Sequence, residues 1–74
     1  MKIDLKDLLT IDNKEYAVAA KIKYNGKNYI YLININDTSD IKFCLIENEK
    51  VFEIFEKEIV TKLLEMIAKN AKIS

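Results

Sequence analysis

Cys44 is the one side chain of this sequence able to act as a strong nucleophile, and nothing in its pattern is set to activate it. A thiol attacks as the thiolate, and the usual base that takes its proton is histidine. The 74 residues contain none. Cys44 sits in the alternating run "IKFCLIE", where a half-buried packing role is the expected one. The remaining candidates are carboxylates. Asp37 with Asp40, and Glu47 with Glu49, could in principle work as acid/base pairs, yet both fall in polar turn segments without the burial that tunes such groups. Asn36, Asp37 and Asp40 offer oxygen ligands but lack the spacing, hinge glycine and closing glutamate of a calcium loop. A lone cysteine without histidine builds neither a zinc cage nor an internal disulfide. One glycine, Gly26, is too few for a phosphate loop or a dinucleotide fingerprint. The expectation is a chain that is not an enzyme and carries no catalytic residue, metal site or cofactor.

A second chemistry is suggested by "KIKYNGKNYIYLINI", residues 21–35, where lysines flank most of the tyrosines. Stacking platforms for single-stranded nucleic acid combine exposed aromatics with cations. Lys21, Lys23, Lys27 and Lys42 are the candidate patch. Twelve lysines balance twelve acids, however, so no global field draws a polyanion. Arginine, the usual choice for bidentate contacts to phosphate or guanine, is absent.

These residues are positioned by elements that the pattern makes legible. Tyr16, Val18, Ala20, Ile22 and Tyr24 share one parity, with Lys21 and Lys23 on the other, which predicts a strand with one buried face. Asn25-Gly26 fits a two-residue hairpin turn. It predicts Tyr24 opposite Lys27, Ile22 opposite Tyr29, Ala20 opposite Tyr31, Val18 opposite Ile33 and Tyr16 opposite Ile35, all on one face. The tyrosines then belong to a core, which speaks against nucleic acid as the partner. Residues 36–40 read as a polar turn and "IKFCLIE" as a third long strand. Asn48-Glu49 predicts a tight turn that sets Leu45 opposite Phe52 and Phe43 opposite Ile54. In residues 1–13, Ile3 to Leu9 fits a helical turn, while Leu9 to Ile11 followed by "DNK" fits a short strand.

The C-terminal stretch changes period. Ile59, Val60, Leu63, Leu64, Ile67 and Ala71 form a wide helical stripe, with Glu58 and Lys62, and Glu65 and Lys69, at helical ion-pair spacing. The expected architecture is α+β: a single domain over residues 1–74, in which an N-terminal segment (1–13) precedes an antiparallel four- to five-stranded β-meander (14–55). One C-terminal helix (56–72) packs on one face. A domain of this length buries only about 60% of its unfolded surface and has no staples to help.

The segments "DNKEYAVAAKIKYNGKNYIYLIN", "IKFCLIENEKVFEI" and "EKEIVTKLLEMI" together resemble the small domain-of-unknown-function proteins of Firmicutes and their phages typified by YrzB. The likeness spans residues 12–67 and rests on Glu15-Tyr16, Tyr24, Gly26, Tyr29, Leu32 and the closing helix. It departs in being far less acidic, and in having Phe55-Glu56 where a Pro-Ile or Asp-Glu-Glu-Trp type segment often stands. The resemblance implies a cytoplasmic β-meander with a terminal helix, of bacterial or phage origin, and no activity to carry over.

With one face of the sheet beneath the helix, Ala17, Ala19, Ile30, Leu32, Cys44, Ile46 and Val51 fall on the reverse. So many aliphatics need cover. The first expectation is a small interaction module that buries this reverse face on a protein partner or on itself as a homodimer. Cover by Ile3, Leu5, Leu8 and Leu9 from the same chain is the competing possibility. Alternative functions are a phage-type inhibitor that occludes a host enzyme or nucleic-acid machine, and a single-stranded nucleic-acid binder. No signal peptide and no apolar run of membrane-spanning length is visible, so the expectation is a cytoplasmic protein without a membrane partner.

Overall fold

Among the described residues, five antiparallel strands follow one another as a meander, β1 (Leu8–Ile11), β2 (Lys14–Tyr24), β3 (Lys27–Asn34), β4 (Asp37–Glu47) and β5 (Lys50–Glu53), and a single helix, α1 (Lys57–Ala71), comes after them. This is a computed structural model and it describes residues 3–71, with side chains described through Lys69. The expected helix end at Lys72 lies outside the described residues, as does the side chain of Ala71.

Tight two-residue turns make the meander possible. Asp12-Asn13, Asn25-Gly26 and Asn48-Glu49 all have positive φ at both positions, the conformation in which a hairpin turn matches the twist of its strands. Asn and Asp tolerate it because their short polar side chains bond locally; Gly26 tolerates it for want of a Cβ. The expected pairings Tyr24↔Lys27, Ile22↔Tyr29, Ala20↔Tyr31 and Leu45↔Phe52 are all formed. The Ile54 N–H donates to the Phe43 carbonyl at 2.8 Å, which continues the β4–β5 pairing as expected.

Two expectations fail at a β-bulge. The β2–β3 register shifts between Val18 and Ala20, so Val18 lies opposite Leu32 and Tyr16 opposite Asn34, not opposite Ile33 and Ile35. One extra residue, Ala19, rotates everything before it onto the other side of the sheet. Tyr24, Tyr29 and Tyr31 stay beneath the helix, whereas Tyr16 and Val18 cross to the reverse face. The second correction concerns residues 36–40. The turn there is only Ile35-Asn36, and β4 already begins at Asp37, with a second register shift opposite Ile33 and Asn34. Ser39 fits this irregular stretch by donating from both its N–H (3.1 Å) and its hydroxyl (2.6 Å) to Asp37 Oδ1.

The bulge yields two half-cores, one on each side of one sheet. Beneath the helix, Ile22, Tyr29, Phe43 and Leu63 are buried, with Ala20, Tyr24, Tyr31, Leu45 and the helical Ile59, Val60, Met66 and Ile67 packed around them. Tyr31 stacks on Phe43 with ring centroids 4.9 Å apart. On the reverse, Ile3, Tyr16, Val18, Ile30, Leu32 and Cys44 are buried, and Leu9, Ile11, Ile46 and Val51 pack against them. The N-terminal segment forms no helical turn over Ile3–Leu9. It bends at Asp4–Asp7, where the Asp4 N–H donates to Asp7 Oδ2 at 2.9 Å, and Lys6 N–H donates to the Val18 carbonyl at 2.9 Å.

The helix starts where Glu56 offers its carbonyl to the Val60 N–H at 3.0 Å. Among the described residues, Lys62 pairs with Glu65 at 3.6 Å on its surface. Among the described residues no helix is long and apolar enough to cross a membrane.

Candidate interaction surface

The reverse-face residues expected to form a docking surface are instead mostly interior. Ile30, Leu32 and Cys44 are completely buried within the chain, and Ile46 and Val51 are half-buried against the same cluster. Ile3 and, more marginally, Leu9 supply the cover; Leu5 and Leu8, also considered for that role, are 57% and 56% exposed. Ala17 does not lie on this face at all. It precedes the bulge, stands opposite Ile33 and Leu8, and so faces the helix side. Ala19 is the exposed bulge residue.

The open apolar surface is found on the helix side, beyond the helix. Leu8, Ala17, Ile33 and Ile41 are direct cross-strand partners, forming one row over β1, β2, β3 and β4. Ile33 shares parity with Tyr31 and Ile41 with Phe43, both of the helix-side core, which fixes the face. Leu8 and Ile41 (40% exposed) end the row, while Ala17 and Ile33 are half-buried. Phe52 and Phe55 add exposed aromatic surface near the start of the helix. Sequence reasoning missed the row because it placed Ala17 on the wrong side of the sheet; no residue type marks Ala19 as a bulge.

One end of the reverse-face core is closed by polar groups. The buried Tyr16 donates its hydroxyl to Asp40 Oδ2 at 2.7 Å, and Asn34 donates Nδ2 to the same oxygen at 3.1 Å. Asn34 Oδ1 in turn accepts the Asn36 N–H at 2.8 Å. Lys42 holds Glu53 at 3.2 Å and lies 5.5 Å from the centre of the Tyr16 ring. The hydrogen bonds from Tyr16 and Asn34 hold the Asp40 carboxyl below its ordinary range, and the bond to Asp40 pushes the Tyr16 phenol up. Burial pulls the Lys42 ammonium down, but bonding to Glu53 outweighs it and the net shift is upward. Among the described residues no buried side-chain polar atom lacks a partner. A satisfied cluster of this kind specifies a packing arrangement.

Cys44 lies in the same core, opposite Glu53, and burial pushes its thiol up to about 11. A thiol held protonated and shielded is a poor nucleophile. Asp37 and Asp40 diverge: Asp37 caps Ser39 while Asp40 holds Tyr16. Among the described residues, no group of three or more Cys, Asp or Glu gathers where it could hold a metal ion.

The lysines expected as a patch are dispersed. Lys21 and Lys23 occupy the reverse face, Lys27 stands opposite Tyr24 on the helix side, and Lys42 is largely buried. Lys21 approaches Asp4 at 3.8 Å and Lys27 approaches Glu47 at 3.9 Å. Two hollows border these lysines, and both are open rather than enclosed. One of about 340 Å³ runs over Ile3, Lys21 and Ile46; another of about 710 Å³ lies between the β2–β3 turn and the helix start, with Lys27, Lys57, Glu56 and Glu58 mixed on its rim. The charged groups of the first are Lys21 and Lys23, of which Lys21 lies beside Asp4, and the second mixes both signs. No family model, curated protein or solved structure matches the chain.

Proposed function

We propose that the chain is a small non-catalytic protein-interaction module, of the bacterial or phage type its sequence resembles, and that it docks through the uncovered row on the helix side. The observation that carries this reading is the alignment of Leu8, Ala17, Ile33 and Ile41 across four strands with the helix leaving them exposed or only half-covered. Contiguous apolar surface on a small domain costs solubility and is retained where a partner covers it. The buried thiol and the separated carboxylates give no support to catalysis, and four lysines divided between two faces, with Lys21, Lys27 and Lys42 each beside a carboxylate, give none to nucleic acid.

The test is a photo-crosslinking amino acid placed at Ile41 of the full chain in its native cells, with Glu58 on the helix surface as control. Protein adducts at position 41 and not at 58 are the expected result. Absence of adducts, or equal labelling at both positions, would overturn the reading.

A further inference from the structure

The geometry points to a second copy of this chain paired through the outer edge of β1, at the Leu8 end of the row. This inference rests on the interaction-module reading and extends its row across two copies, leaving the row itself open to the partner. The Asp12-Asn13 turn makes Ile11↔Lys14 and Leu9↔Tyr16 the hydrogen-bonded pairs of the hairpin, so the backbone groups of Leu8 and Thr10 point away from β2. The same alternation is visible at the neighbouring residues, where Val18 exchanges bonds with Lys6 and Asp7 on the β1 side and Glu15 accepts the Ile35 N–H on the β3 side. Among the described residues no backbone partner meets the outward groups of Leu8 and Thr10.

Edge strands of monomers carry charge, proline or cover that blocks further pairing. The opposite edge, β5, is "KVFE", with Lys50 and Glu53. β1 is "LLTI", with no charged residue. An antiparallel pair of identical strands is related by a two-fold axis, the symmetry of most homodimers. Centring that axis on Leu9 sets Leu8 opposite Thr10 of the other copy, and every outward N–H and C=O of both strands finds a partner. The ends then match in charge, because Lys6 of one copy comes to Asp12 of the other. Net charge is zero, so the two copies do not repel as bodies. Leu8 is both the end of β1 and the end of the exposed row, and pairing joins the two rows into one stripe on the helix side. The paired segment is short, which makes this a weak, concentration-dependent dimer.

Sedimentation equilibrium of the full chain from about 1 µM to 1 mM spans that range of affinity. The expected result is a monomer–dimer equilibrium weakened tenfold or more by Thr10→Pro, which removes an outward donor at a position where an edge strand accepts proline. Leu9→Cys keeps all backbone donors and gives a second reading: with a mild oxidant it should form a disulfide-linked dimer, while Leu64→Cys on the helix should not. A wild-type monomer across the whole range overturns the inference, as does equal cross-linking at positions 9 and 64. Adducts from position 41 to a different protein, with the wild type monomeric, would end the second-copy proposal and leave the module reading standing.

Discussion

The Tyr16 hydroxyl and the Asp40 carboxylate, 24 residues apart in sequence, meet at 2.7 Å and close one end of the reverse-face core. Their pKa values move in opposite directions, and each movement is a statement about stability. Asp40 is lowered in the folded state, so its contribution is present above the unfolded carboxyl value near about 4 and is lost as pH falls through the lower folded value. Tyr16 is raised, so its contribution is present below about 10 and is lost as pH rises through the folded value. Urea denaturation across pH should show both losses in the wild type, and Tyr16→Phe should flatten both limbs. Parallel curves for the two proteins would contradict the coupling.

Ile3 and Leu5 are two residues apart and are expected to behave oppositely. Ile3 is buried over the reverse face, so Ile3→Ser should cost about 2 kcal/mol or more and expose apolar surface to a dye such as ANS. Leu5→Ser, at an exposed position, should stay within about 0.5 kcal/mol of wild type. Equal effects would mean that the N-terminal segment does not cover this face through Ile3.

Leu63 and Leu64 make the same comparison on the helix. Leu63 is completely buried and Leu64 is 44% exposed. Chemical denaturation should give a loss of about 2–5 kcal/mol for Leu63→Ala, a large share of what a domain of this size possesses. Leu64→Ala should fall within about 0.5 kcal/mol.

The thiol of Cys44 supplies a probe of global opening. Burial and a value pushed up to about 11 mean that alkylation at pH 8 should be at least 100-fold slower in the native protein than in urea. Because the folded value exceeds that of a free thiol near about 8.5, the protonated group favours the fold below that pH, and the benefit disappears as pH rises towards 11. Rapid native labelling would place Cys44 outside the core.

Removal of Ala19 tests the bulge. Without it the strand regains simple alternation, and Tyr16 and Val18 are forced to the helix side, away from Ile30, Leu32 and Asp40. The deletion should abolish cooperative unfolding by circular dichroism, whereas Ala19→Ser, at an exposed position, should be nearly neutral.

Much of the fold was legible because local signals agreed. Asn25-Gly26, Asn48-Glu49 and the alternating runs beside them specify turn and register together, and the change of period after Phe55 marks the helix. What could not be read was the crossing of Tyr16 and Val18 to the reverse face. A bulge at an alanine has no composition signal, since its cause lies in the partners on each side: Tyr16 reaches Asp40, and Val18 reaches Leu32, only after the shift. The exposed apolar row on the helix side was missed for the same reason. Its residues were read with Ala17 and Ile33 on opposite faces, and the shift makes them neighbours.

The shift at Ala19 also has a kinetic meaning. A single strand, β2, carries Ile22 into one layer of the core and Tyr16 with Val18 into the other, so neither layer can come apart while the strand stays in place. Hydrogen exchange along β2 should therefore report one common opening event for both sides of the sheet, and the small protein should melt as one unit with no half-folded species.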